Sequence, residues 1–159
     1  MAKSAASVVI RKTVTVAVPV ETAFRIFTEE VGSWWPLATK SVGQQEAETL
    51  VIEPREGGRV YERVRGGEEH DWGVILAWEP PRRLAFTWHP GRGPETGQEV
   101  EVRFDAASGG ETLVELEHRG WERLVETAEE IPEHYESGWE EVLRRYVEAA
   151  TGAGARAGT

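Results

Sequence analysis

The feature that most limits what this chain can fold into is a run of six short β-rich segments between residues 47 and 119. They occupy 47–53, 59–65, 71–79, 83–89, 98–106 and 111–119. The separators at 54–58, 66–67, 80–81, 90–97 and 108–110 are made largely of Gly, Pro, Ser and charged residues, which is turn chemistry. Connections this short cannot accommodate the crossovers that parallel pairing needs, so the segments predict an antiparallel meander.

Two flanking regions complete the pattern. Between residues 8 and 18, Val8, Ile10, Val14, Val16 and Val18 share one parity, while Arg11, Thr13 and Thr15 fall on the other, as in a strand. Pro19 stops that strand, and Val20, Ala23, Phe24 and Phe27 follow at helical spacing over 20–30. Gly32 and the segment Ser33-Trp34-Trp35-Pro36 predict a second short helix or tight turn. After Pro132, Trp139, Val142, Leu143, Tyr146 and Val147 form one apolar stripe, and Glu140/Arg144 with Glu141/Arg145 are spaced for i,i+4 ion pairs. The expected fold is α+β. Seven antiparallel strands form a sheet that curls around one long C-terminal helix, because neither element can hide its apolar face alone.

Three segments carry a resemblance: VPVETAFRIFTEEVGSWWP at 18–36, GVILAWEPPRRLAFTWHP at 73–90 and TLVELEHRGWERL at 112–124. With Gly138-Trp139 opening the last helix, the chain resembles the START-like, or SRPBCC, helix-grip superfamily. Within it, the chain is most similar to the branch named for the activator of heat-shock-protein-90 ATPase homologue. The resemblance implies a single domain over 8–150, with 1–7 and 151–159 as flexible termini. It also implies a cavity between sheet and C-terminal helix that takes a hydrophobic ligand, as in the pollen-allergen, lipid-transfer and polyketide-cyclase relatives.

Composition narrows the function classes. With 18 Lys+Arg against 28 Asp+Glu, the net charge of −10 repels phosphate backbones and anionic membranes, so no nucleic-acid or membrane partner is expected. The absence of Cys excludes disulfides, thiolate metal sites and cysteine nucleophiles. No apolar run is long enough to span a bilayer, and the opening residues lack the apolar core of a secretory signal, which predicts a cytoplasmic protein. His70, His89, His118 and His134 make neither HExxH nor HxH, so no metal and no cofactor is expected. GRGPETG at 91–97 lacks the Lys-Ser/Thr of a phosphate loop and joins two strands as a turn, and no G-x-S-x-G elbow occurs.

Strand parity then selects candidate site residues. Trp72, Val74, Leu76 and Trp78 share one face of their strand, as do Leu84, Phe86 and Trp88 on the next. Such rings either fill a core or line a pocket, and periodicity is the same in both cases. In the pocket reading, Trp72, Phe86, Trp88, Trp139, Val142 and Tyr146 form an apolar wall. Tyr61, Arg63 and His118 supply the polar contacts, Arg63 as an anchor for a ligand carboxylate or as a partner of Glu48. His118 shares a face with Val114 and Leu116, which suits either a hydrogen-bonded core histidine or an acid–base group. Glu48 shares parity with Leu50 and Ile52, so it points either inward or out along a wet edge.

Three functions follow as expectations. The first is binding of a small hydrophobic or planar ligand. The second is a cyclase- or dehydratase-type lyase without metal in the same cavity, with Glu48 or His118 as acid or base. The third is a co-chaperone-like interaction domain with an acidic outer surface. Monomer and homodimer both fit the sequence.

Overall fold

The computed structural model describes residues 3–157, with side chains through 153. In chain order the elements are β1 (Ile10–Val16), α1 (Val20–Thr28), α2 (Val31–Trp34), β2 (Ala47–Ile52), β3 (Arg59–Val64) and β4 (Glu69–Glu79). They continue as β5 (Arg83–Trp88), β6 (Gln98–Ala106), β7 (Thr112–Arg119) and α3 (His134–Ala157). The seven strands form one antiparallel sheet in the order β1-β7-β6-β5-β4-β3-β2, so β1 and β2 are its two edges. The segment carrying α1 and α2 must cross from one edge to the other, and it does so on the face that α3 covers. This is the helix-grip architecture.

Each packed element is explained by its apolar pattern. Ala23, Phe24, Ile26 and Phe27 bury one face of α1 against the sheet. Phe24 meets Trp78 and Phe104 at 5.1 and 5.2 Å, and Phe27 meets Phe104 and Tyr146 at 5.7 and 5.1 Å. On α3, Trp139, Val142, Leu143, Tyr146 and Ala150 are buried. The Tyr146 hydroxyl donates to the Ala23 carbonyl at 2.8 Å, tying α3 to α1, and burial raises its pKa above the ordinary phenol value.

Strand β4 departs from simple alternation. Val60 faces Gly73 but Tyr61 faces Asp71, and Ile75 faces Phe86 but Ala77 faces Ala85, so Trp72 and Leu76 are extra residues at two β-bulges. The inward residues are therefore Trp72, Ile75 and Trp78, three apart, while Val74 and Leu76 are each 43% exposed. The expected face of Trp72, Val74, Leu76 and Trp78 keeps its ends and loses its middle. Gly73 is required at the first bulge: a methyl group there would lie 1.8 Å from the Thr87 carbonyl oxygen.

The termini also differ from expectation. Ser4 bridges to Thr127, the Ala5 amide donates to the Glu126 carbonyl, and Ala5 is fully buried, so residues 4–7 pack against the β7–α3 connection. The backbone of α3 continues to Ala157, past the expected end at 150, because Gly and Ala interrupt an apolar stripe without breaking a helix. Met1, Ala2, Gly158 and Thr159, part of the expected flexible termini, lie outside the described residues. The expected pairs on α3 are replaced as well. Glu140 meets Lys12 of β1 at 2.9 Å and Arg144 approaches Glu148 at 4.0 Å. Among the described residues no helix is long and apolar enough to cross a membrane.

Candidate functional site

The space between sheet and α3 is filled with rings along most of its length and opens at one end into a cleft of about 430 Å³. Three tryptophans form its wall. Trp35 emerges from the end of α2 and is fixed by its indole N–H, which donates to the Lys40 carbonyl at 2.7 Å. Trp88 ends β5 on the core face, and Trp139 opens the stripe of α3. Their ring centroids lie 5.2 to 6.0 Å apart, so each supports the other two. Val142 closes the floor, and the rim is built from residues 39–42, the Pro90-Gly91 turn, and His134, Tyr135 and Gly138 of the first turns of α3.

His118 stands behind this wall. The Trp139 indole N–H donates to its Nδ1 at 2.9 Å, so Nδ1 carries no proton and the ring is the tautomer protonated at Nε2. Nε2 in turn donates to Gln98 Oε1 at 3.1 Å, and the Gln98 amide donates to the Thr96 carbonyl. Trp121 stacks on the ring at 4.1 Å, and Tyr135 and Trp139 meet it edge-on. Burial lowers its pKa to about 3, because no partner compensates a charge there. A histidine held neutral, with both nitrogens committed, fixes the orientation of Trp139 and does not exchange protons near neutral pH.

A second buried polar group sets the rim. Glu62 is fully buried on β3, and its carboxylate accepts from the amides of Val42 and Gly43 at 2.7 and 2.9 Å and from the Trp72 indole N–H at 2.8 Å. Three donors replace the water it has lost. One side chain thus ties the rim segment to the sheet and to the aromatic core. Gly43 permits the approach, since a methyl group there would lie 2.4 Å from a Val64 methyl.

The structure brings together only part of the expected site. Trp88, Trp139 and Val142 line the cleft. Trp72, Phe86 and Tyr146 are buried core residues outside it, and His118 lies in the layer behind. Tyr61 and Arg63 are on the opposite face of β3 from Val60, Glu62 and Val64, with the Arg59 guanidinium 4.1 Å above the Tyr61 ring. They cannot supply polar contacts to the cleft, nor can Arg63 anchor a ligand there. Glu48 is exposed at a register shift between Ala47 and Thr49, so its carboxylate stays in water.

Sequence reasoning missed Trp35, Lys40, Val42 and Tyr135 of the lining, and Glu62. Glu62 carried a usable signal, because it alternates with Val60 and Val64 and so shares their inward face. A second depression of about 530 Å³ lies where α1 and α2 meet edge strand β2, but its lining, Thr28, Glu29, Glu30, Gly32, Ser33 and Thr49 to Ile52, includes no aromatic ring. Among the described residues no three His, Asp or Glu side chains are grouped to hold a metal ion.

Comparison with known proteins agrees with this architecture. The family model described as Activator of Hsp90 ATPase homolog 1-like protein matches residues 17–150. No curated protein matches the chain. Among solved structures, the anthrahydroquino-gamma-pyrone synthase Txn09 is 31% identical, with 88% of this chain and 95% of that one covered and a TM-score of 0.58. CalC from Micromonospora echinospora, described as a self-sacrificing resistance protein, is 26% identical over 92% of this chain and 96% of its own, with a TM-score of 0.66. The Aha1 dimer from Colwellia psychrerythraea shares the fold at 18% identity, covering 91% and 96% with a TM-score of 0.65.

Proposed function

We propose, for a chain that belongs to the family of Activator of Hsp90 ATPase homolog 1-like proteins, that its role is to bind a small planar, hydrophobic molecule in the cleft at the open end of the grip. The observation that carries this reading is the wall of Trp35, Trp88 and Trp139 facing about 430 Å³ of space. That size lies within the roughly 300–1,000 Å³ typical of small-molecule sites. Three indoles within 6.0 Å of one another, tilted or edge-on to each other and largely buried, offer a fused-ring ligand an aromatic wall to pack against. Likeness to a protein described as an anthrahydroquino-gamma-pyrone synthase supports a polycyclic aromatic ligand.

The test is titration with 2-(hydroxymethyl)anthraquinone, followed by quenching of tryptophan fluorescence and by calorimetry. Saturable binding that weakens at least tenfold in Trp88→Ala is the expected result. A signal that does not saturate, or one that Trp88→Ala leaves unchanged, removes the cleft from consideration. Catalysis in the same cleft is a second reading, favoured by the synthase description of that relative. Its proton-transfer groups would come from the rim, Tyr135 and His134, since Glu48 is in water and His118 is locked neutral. The co-chaperone reading rests on the family description alone, and a chaperone complex steered by the acidic surface would weaken with salt.

A further inference from the structure

The lining of the cleft lacks the acidic side chains that dominate the chain. The chain carries 28 Asp+Glu and a net charge of −10, yet no Asp or Glu lines the cleft. Its two basic side chains are Lys40 and His134. Lys40 takes part in none of the ion pairs among the described residues, whereas Lys12 and most of the arginines meet carboxylates. The carboxylates nearest the rim each have a partner, Glu141 at the rim itself. Glu62 accepts three N–H donors behind it, Glu141 accepts from the Thr39 hydroxyl at 3.3 Å, and Glu140 pairs with Lys12.

Placement of the Lys40 side chain is set by its surroundings. Its carbonyl holds the Trp35 indole, which fixes the backbone, and its ε-carbon lies 3.6 Å from where a side chain at Gly138 would begin. The stem therefore passes beside Gly138 in the first turns of α3, at ordinary van der Waals distance, and carries the ammonium to the rim of an aromatic cleft. A lysine stem packed on apolar surface with its head in water is a common arrangement, and among the described residues no carboxylate lies within ion-pair distance of this one.

We propose that the cleft selects planar aromatic anions, a carboxylate or phenolate on a fused-ring system, with Lys40 as the counter-charge at the rim and the tryptophan wall taking the rings. This rests on the ligand-binding reading above and names the ligand class for it. An anion approaching the protein is repelled by its overall charge, so the cleft must supply its own compensation, and Lys40 is the unpaired cation in place to do so. It takes the anchoring role that the sequence suggested for Arg63.

A matched pair of probes separates the two readings. Anthraquinone-2-carboxylate and anthraquinone-2-carboxamide share size and ring system and differ in charge. The wild-type protein binds the carboxylate about five- to tenfold more tightly at low ionic strength, the range expected of one partly exposed ion pair with a charged hydrogen bond. Lys40→Met, which keeps the stem, abolishes that preference, and Lys40→Arg retains it. Equal affinities in the wild type, or a preference that survives Lys40→Met, overturn the charge selection while leaving the aromatic cleft standing. Failure of both probes to bind overturns the cleft reading and the charge selection with it.

Discussion

The two ends of the space between sheet and helix use the same chemistry and reach opposite outcomes. At one end Phe24, Phe27, Trp34, Phe104 and Tyr146 close on one another with centroids 5.1 to 5.7 Å apart and leave no cleft. At the other, Trp35, Trp88 and Trp139 are packed almost as closely but border open space. The difference lies in what covers them. Helix α1 lowers two phenylalanines onto the first end, spaced by its own turn. The second end is covered by residues 39–43, Thr-Lys-Ser-Val-Gly, whose side chains are too small or too polar to fill it. A pocket in this fold is thus a matter of lid composition, and richness in aromatic residues does not distinguish it.

Stability measurements test that contrast directly. Phe104→Ala at the filled end should cost about 3–5 kcal/mol in urea denaturation, because the surrounding rings are held by two helices and cannot collapse into the gap. Trp88→Ala should cost about 2 kcal/mol despite removing a larger ring, since water enters the enlarged cleft and no closed void is left. Equal costs at the two positions would abolish the distinction.

Acid should act next, through the residue behind the open end. Above pH 6.5 His118 is neutral in both folded and unfolded chains and contributes no pH dependence. Below it the unfolded chain takes up a proton that the folded one refuses until about pH 3. Stability therefore falls as pH drops through that window, by about 1.4 kcal/mol per unit, or about 2 kcal/mol at pH 5. His118→Gln, which keeps an acceptor and a donor, should flatten this slope, and an unchanged slope would show that the ring is reached by solvent.

The smallest effect belongs to the outer contact between α3 and β1. Lys12→Ala should cost less than about 1 kcal/mol, because its partners Glu136 and Glu140 are each about two-thirds exposed and screened. A larger loss would mean that ion pairing, not the ring-filled interior, holds the helix down.

How far the residues announced the structure varied with the regularity of each strand. In β7 the alternation is uninterrupted and in β5 only the small Ala85 departs from it, and Leu84, Phe86 and Trp88, like Val114, Leu116 and His118, are buried as parity requires. β6 begins and ends where turn residues said it would. In β4 each bulge reverses the parity, and nothing in the residue types marks Leu76 as extra, although Gly73 marks a close backbone approach. On β3 the choice of Tyr61 and Arg63 as inward residues failed because an apolar flank outweighs an aromatic ring: Val60 and Val64 carry Glu62 inside with them. The cleft itself was not legible, since open volume depends on a lid whose position is set by a carboxylate twenty residues away.

That carboxylate gives the cleft an uneven stiffness. Residues 42 and 43 cannot swing outward without stripping two amides from Glu62 and leaving it with the Trp72 indole alone. The wall on that side behaves as a rigid jaw. The opposite jaw, the Pro90-Gly91 turn, continues into a connection containing Gly91, Gly93 and Gly97, and is held at its ends, by the His89 amide on the Trp72 carbonyl and by the Arg123 guanidinium on the Gly97 carbonyl. Larger ring systems should be admitted by yielding on that side, so the size limit of the cleft is set by the hairpin and its shape by the jaw that does not move.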